Sequence, residues 1–317
     1  MSSRGMTSRD GVAATPFTHG PYTFRERISF TGGASGVSVP NGSDVWYVDK
    51  NLGSGVSGDG KTWDTAFLTL TEAVAAAGAY DIIFMGRGYY TEAATITIAS
   101  TQRGLKIFGP TTGGVPTSNG LSSATSGDDI LIINADDVEI AGITFWCLTN
   151  GKDGIDIGAD YDGYNNWIHD CCFLTGNAGN DLGEYGIKAN NTDDCVGLLI
   201  ENNTFYFMST AGVAVHATRA TVRNNTVWSN SIGIDVQNTA GSRAGCLVAD
   251  NYLMGRQVGG TTTGIKLAET SEGFVFVANN IVTGFTTNIT ANMCELSQVN
   301  NQTAADASTY LQVDATP

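Results

Sequence analysis

Between Val138 and Thr290 the chain repeats one alternation of apolar and polar positions six times, with drift. The copies end in Gly142-Ile143-Thr144-Phe145, Asp170-Cys171-Cys172-Phe173, Asn202-Asn203-Thr204-Phe205, Asn224-Asn225-Thr226-Val227, Asp250-Asn251-Tyr252-Leu253 and Asn279-Asn280-Ile281-Val282. Two residues before each corner stand Ile140, Ile168, Ile200, Val222, Val248 and Val277. Side chains in a strand alternate sides, so these residues share one buried face. The residue just before each corner (Ala141, His169, Glu201, Arg223, Ala249, Ala278) faces the other way. Asn and Asp tolerate the left-handed backbone of a tight corner, and the chain turns apolar again after it. The period of roughly 20–30 residues, with variable insertions, is that of a solenoid.

A second phrase follows most corners: Gly154-Ile155-Asp156-Ile157, Gly186-Ile187-Lys188-Ala189, Gly212-Val213-Ala214-Val215, Gly233-Ile234-Asp235-Val236 and Gly264-Ile265-Lys266-Leu267. Each is a Gly followed by in–out–in alternation, a short strand of another wall. Such coils bury a face only by stacking on their neighbours, about 4.8 Å apart. Stacking places Asp156, Lys188, Ala214, Asp235 and Lys266 in one outer row and His169, Glu201 and Arg223 in another, where opposite charges pair across strands. It also stacks the amides of Asn203, Asn225, Asn251 and Asn280.

These repeats resemble the right-handed parallel β-helix of the pectate-lyase-like superfold, shared by polysaccharide lyases, some glycoside hydrolases, epimerases and phage tailspikes. The style is closest to bacteriophage tailspike and virion β-helix proteins. The expected architecture is all-β: an N-terminal arm at 1–43, a solenoid at 44–300 with one capping helix at about 70–77, and a C-terminal cap or tail at 301–317. Thr69-Leu70-Thr71-Glu72 is a capping box, and Leu70, Ala73, Val74 and Ala77 form one apolar stripe. Asp81-Ile82-Ile83-Phe84 is expected to start the first coil. Gly55 to Thr62 matches a P-loop literally, but Trp63-Asp64-Thr65-Ala66 follows where a helix would have to begin, so no nucleotide site is expected.

The chain of 317 residues carries a net charge of −15. That balance argues against nucleic acid as a partner, and against an anionic membrane surface. The six Cys lack metal-ligand or redox spacing and read as small apolar fillers. No metal and no cofactor is expected. The first ten residues lack the apolar stretch of a secretory signal. A chain made in a host cytoplasm and carried on a virion fits that absence.

Residues 1–43 hold four Arg against two acids, with aromatics among turn residues. Phe17, Tyr22, Phe24, Arg25 and Arg27 are the candidate anchor to other virion proteins. The fold carries many activities, so function has to be argued from a site. The best acid–base set is Asp156 with Lys188 and Glu184, beside the loop acid Asp181. Trp146, Tyr161, Tyr164, Trp167 and Tyr185 are candidate glycan contacts. Trp167-Ile168-His169-Asp170 resembles a pectate-lyase phrase with its last two residues reversed, and the repeat already accounts for both. The expectation is therefore a virion spike, fibre or decoration protein, homotrimeric, in contact with host polysaccharide. The alternative is a polysaccharide lyase or glycoside hydrolase.

Overall fold

The computed structural model describes residues 43–304 and Leu311–Gln312, apart from 53–54, 111–119, 126, 149–151, 159–162, 176–182, 190–194, 216–218, 230, 237–244, 256–261, 268–273, 292–294 and 300. The candidate anchor residues Phe17, Tyr22, Phe24, Arg25 and Arg27, and also Tyr161 and Asp181, lie outside the described residues. The chain is a parallel β-helix with three walls. The leading wall holds the strands before the corners, from Val45–Val48 to Glu295–Val299. The trailing wall holds the strands after them, from Tyr89–Glu92 to Gln302–Ala304, with Leu311–Gln312 added antiparallel at its end. The glycine wall runs from Ile96–Ile98 to Thr287–Ala291.

The corners form because their first residue takes a left-handed backbone: φ is 52° at Asp170, 57° at Asn202, 54° at Asn224, 57° at Asp250 and 55° at Asn279. The second residue points inward and serves the backbone. Asn225 Oδ1 accepts from Asn203 N at 2.9 Å, while its own Nδ2 donates to Ile200 O at 3.0 Å and to Asn251 Oδ1 at 3.1 Å. The same pattern passes through Asn251 and Asn280 to Asn301. Buried peptide groups at a bend would otherwise lose their partners, so this ladder makes a dry corner possible. Cys171 stands at the top of the row; its N–H still donates to Asn203 Oδ1 at 2.9 Å.

Inside, Phe145, Phe173 and Phe205 stack with ring centroids 4.8 and 4.9 Å apart, the spacing of the coils themselves. They explain the glycines of the second phrase. A Cβ on Gly154 would lie 2.7 Å from the Phe173 ring, and one on Gly186 2.4 Å from Phe205. Only a bare backbone lets the glycine wall close on those rings.

The helix spans Leu70–Ala76 and carries the expected capping box between Thr69 and Glu72. A second lock comes from the trailing wall. Glu92, buried, accepts from the N–H of Leu70 at 3.0 Å and from Thr71 Oγ1 at 2.6 Å. Parallel pairing begins one coil earlier than Asp81, since Val45–Val48 already pairs with Ile82–Met85. It continues past 300 through Gln302–Ala304. The P-loop-like segment is structural. Lys61 bridges Asp44 at 3.0 Å and lies 3.4 Å from the centroid of the Trp46 ring, and Thr62 caps a single 3-10 turn.

Candidate functional site on the glycine wall

Leu131–Ile133 pairs with Ile155–Ile157, Leu131 opposite Ile155 and Ile133 opposite Ile157. The inward isoleucines fix the register, because a slip by one residue would turn them to solvent. Two positions before these strands, that register stacks Asp153 on Asp129, and Asp153 N donates to Asp129 Oδ1 at 3.0 Å. Asp156 points outward from its strand, directly opposite Lys188 on the next coil. Lys188 Nζ lies 3.3 Å from Asp153 Oδ2 and 3.5 Å from Asp156 Oδ2.

Asp129, Asp153 and Asp156 thus each bring one carboxylate oxygen within 4.8 Å of the others. Oxygens that share a calcium-sized ion sit 2.3–2.6 Å from its centre, hence up to about 5 Å apart. The donor set is hard and all-oxygen, so it fits a divalent cation of that class. Burial pushes the Asp153 carboxyl up to about 7, against the pull of Lys188 and with the push of Asp129 and Asp156. Burial raises Asp156 as well. For Lys188, burial pulls its pKa down, but Asp153 and Asp156 outweigh it and the net shift is upward. Among the described residues, two of the three carboxylates bridge directly to one ammonium, Lys188, with Lys152 a weaker influence on Asp156, in a place where burial already disfavours charge.

Of the acid–base residues named from the sequence, Asp156 and Lys188 meet as the ladder required. Glu184 sits at the approach to the same strand, with its N–H donating to Lys152 O at 2.9 Å. It is close enough to help raise the Tyr185 phenol, whose shift comes first from burial. Asp235 is separated from Asp156 by the rows of Lys188 and Ala214, and pairs with Lys266 at 3.5 Å. Asp153 was one acid among many in the sequence, and Asp129 was not singled out at all. Its strand, Leu131–Ile133, lacks the Gly phrase. The signal was there in Asp129-Ile130-Leu131 written over Asp153-Gly154-Ile155.

The aromatic candidates do not form one patch. Tyr185 lies on the glycine wall, its ring centroid 5.8 Å from Lys188 Nζ and its N–H on Asp153 Oδ1 at 3.2 Å. Trp146 lies on the trailing wall, edge-on to Tyr89. Tyr164 is exposed, two residues before the buried Asn166. Trp167 is on the leading wall, stacked on His169 at 3.9 Å and donating from Nε1 to Glu201 Oε1 at 3.1 Å.

The leading wall carries its own charge row. Although His169 stands opposite Glu201 in register, its ring nitrogens go elsewhere: Nδ1 to Asp170 at 2.7 Å and Nε2 to Glu139 at 3.3 Å. Glu139 also holds Lys106, and Arg223 Nε reaches Glu201 Oε2 at 2.6 Å. Burial would lower the His169 pKa, but Glu139 and Asp170 leave it raised. Among the described residues of this row, each of these charged side chains has a partner of opposite sign once His169 is protonated.

A family described as a protein of unknown function (DUF1565) matches residues 171–307. No curated protein matches the chain by sequence. Among solved structures, the pectate lyase Pel9A superposes with a TM-score of 0.56 at 13% identity, over 82% of this chain and 69% of that one. A pectin methylesterase from Aspergillus niger gives 0.52 at 14% identity, over 87% and 93%. The pectin methylesterase PemA from Erwinia chrysanthemi gives 0.50 at 12%, over 83% and 90%. At these identities the likeness is one of fold: the chain is a parallel β-helix.

Proposed function

We propose that this protein binds an acidic polysaccharide along the glycine wall and cleaves it by cation-assisted β-elimination. One observation carries the reading: Asp129, Asp153 and Asp156 converge around Lys188 on an outer wall. Removing the proton beside a uronate carboxylate builds negative charge on that carboxylate. A divalent cation held by the three aspartates would neutralise it. The same ligation would occupy the carboxylates that hold Lys188 protonated, leaving a half-buried amine beside the substrate as the candidate base. The pectate lyase named above shares the fold and acts, by its name, on an acidic polymer of this class. Hydrolysis is less well supported. Glycosidases use two separate carboxyls in distinct roles, whereas Asp153 and Asp156 are both tied to one lysine.

The test is incubation of the full chain with uronate polymers and millimolar calcium, following the ultraviolet absorbance of the unsaturated product. Product formation that disappears in Lys188→Ala and Asp153→Asn is expected. No product from any uronate polymer, together with no heat of calcium binding, would sink the reading. A virion role is a separate proposal resting on the composition of residues 1–43. Deletion of that segment should then abolish incorporation into a particle, and unchanged incorporation would remove the idea.

A further inference from the structure

Beyond Lys188, the outer row of the glycine wall reaches a second exposed amine. Lys188 stands opposite Ala214, Ala214 opposite Asp235, and Asp235 opposite Lys266. Parallel strands lie about 4.8 Å apart, so the two lysines leave the wall roughly 14 Å from each other along the solenoid axis. The row between them shows no charge to solvent: Ala214 is buried and the Asp235 side chain is 1% exposed. The Lys266 side chain is 40% exposed. Asp235 holds it from below without using it up. Lys266 Nζ meets Asp235 Oδ2 at 3.5 Å, longer than the about 2.7–2.9 Å of a tight ammonium–carboxylate bond. An ammonium carries three N–H donors, and Asp235 is the partner that Lys266 has among the described residues. Lys188, by contrast, is divided between Asp153 and Asp156.

We infer that Lys266 is a distal anion subsite, taking the carboxylate of a uronate several units along the same polymer from the unit at Lys188. This rests on the reading of the wall as an acidic-polysaccharide site and gives that site a direction and a length. The chain carries −15, which repels a polyanion over most of its surface, so attachment depends on the few places where a cation is exposed. Two such places in one row run the polymer parallel to the solenoid axis, across the strands. They also set a minimum length. An oligomer too short to span roughly 14 Å reaches only the position at Lys188. A longer one gains Lys266 as a second contact made within the same complex, which raises affinity in one step.

Isothermal titration of the full chain with uronate oligomers, from disaccharide to octasaccharide, tests this. Calcium is present, and a Lys188→Ala background keeps the oligomers intact. Affinity is expected to rise in a step once the oligomer spans the gap. Removing Lys266 alone would leave the buried Asp235 uncompensated, so the charge is removed as Lys266→Met with Asp235→Asn. That double variant should bind the longest oligomers at least about tenfold more weakly and the shortest as before. Lys266→Arg, which keeps the charge, should keep the step. An affinity that does not depend on length overturns the inference, as does a step that survives the double variant or a loss equal for short and long oligomers. Two further outcomes separate it from the reading it rests on. Unsaturated product from the wild type with no step in affinity removes the subsite and leaves the elimination standing. A step lost with Lys266, in a chain whose wild type makes no product, keeps the subsite and removes the elimination.

Discussion

The leading wall and the glycine wall carry the same device, a row of charged side chains stacked coil upon coil, and come to opposite balances. On the leading wall Lys106, His169 and Arg223 face Glu139, Asp170 and Glu201, a row that balances when His169 is protonated. On the glycine wall, among the described residues, Asp129, Asp153 and Asp156 face Lys188, with Lys152 acting on Asp156 from further off, so the acids outnumber the cations. A matched row satisfies its own desolvation and behaves as structure. An unmatched row under the same burial keeps a standing demand for positive charge. That demand, more than the identity of any residue, is what makes the glycine wall the candidate site.

The sharpest way to break the comparison is to exchange activity for stability across the two walls. Lys188→Ala should lower the rate on a uronate polymer by about 10²–10⁴-fold while leaving the melting temperature near that of the wild type. Glu201→Ala should do the reverse. It leaves the partly exposed Arg223 without its carboxylate and Trp167 Nε1 without its acceptor, and should cost roughly 1–3 kcal/mol in urea unfolding with unchanged turnover. Equal loss of activity in both variants would mean that the two rows are not functionally distinct.

Next in size is the response to calcium. Saturation at about a hundred times the dissociation constant stabilises the folded chain by about 2.7 kcal/mol, read as a rise in melting temperature. Asp129→Asn and Asp156→Asn should abolish that rise. Glu139→Gln on the matched wall should keep it.

The smallest effects are those of pH in the absence of calcium, and their windows differ. Asp153 has a raised folded pKa, so its contribution is fully present below the unfolded value near 4 and is lost as pH rises through about 7. Asp153→Asn should flatten that loss. His169 is also raised, so its contribution is present below about 6.5 and disappears as pH rises through its folded value. His169→Asn should remove only this second decline. A single transition removed by either variant alone would show the two rows to be coupled.

The corners were legible in the sequence because the left-handed backbone demands Asn, Asp or Gly at one position and an inward amide at the next. Five of the six phrases place an acidic or amide residue in that strained position. The row Asp156, Lys188, Ala214, Asp235, Lys266 was legible because period-two alternation fixes which residues stack. The aromatic candidates were not. Nothing local distinguishes Tyr185, on the site, from Trp167, which is committed to His169 and Glu201.

The sequence by itself determined the repeat, the walls and the pairing of neighbours, because those follow from backbone sterics and side-chain alternation within one coil. Only the tertiary structure decided that Asp129, in a strand without the repeat's glycine, stacks on Asp153 and turns a charge pair into an acid cluster. Only it decided that His169 is bound by Glu139 and Asp170. The reason is the same in each case. The strand register says which backbones are adjacent, but the partner a charged side chain takes depends on how deeply it is buried and on how many opposite charges reach it.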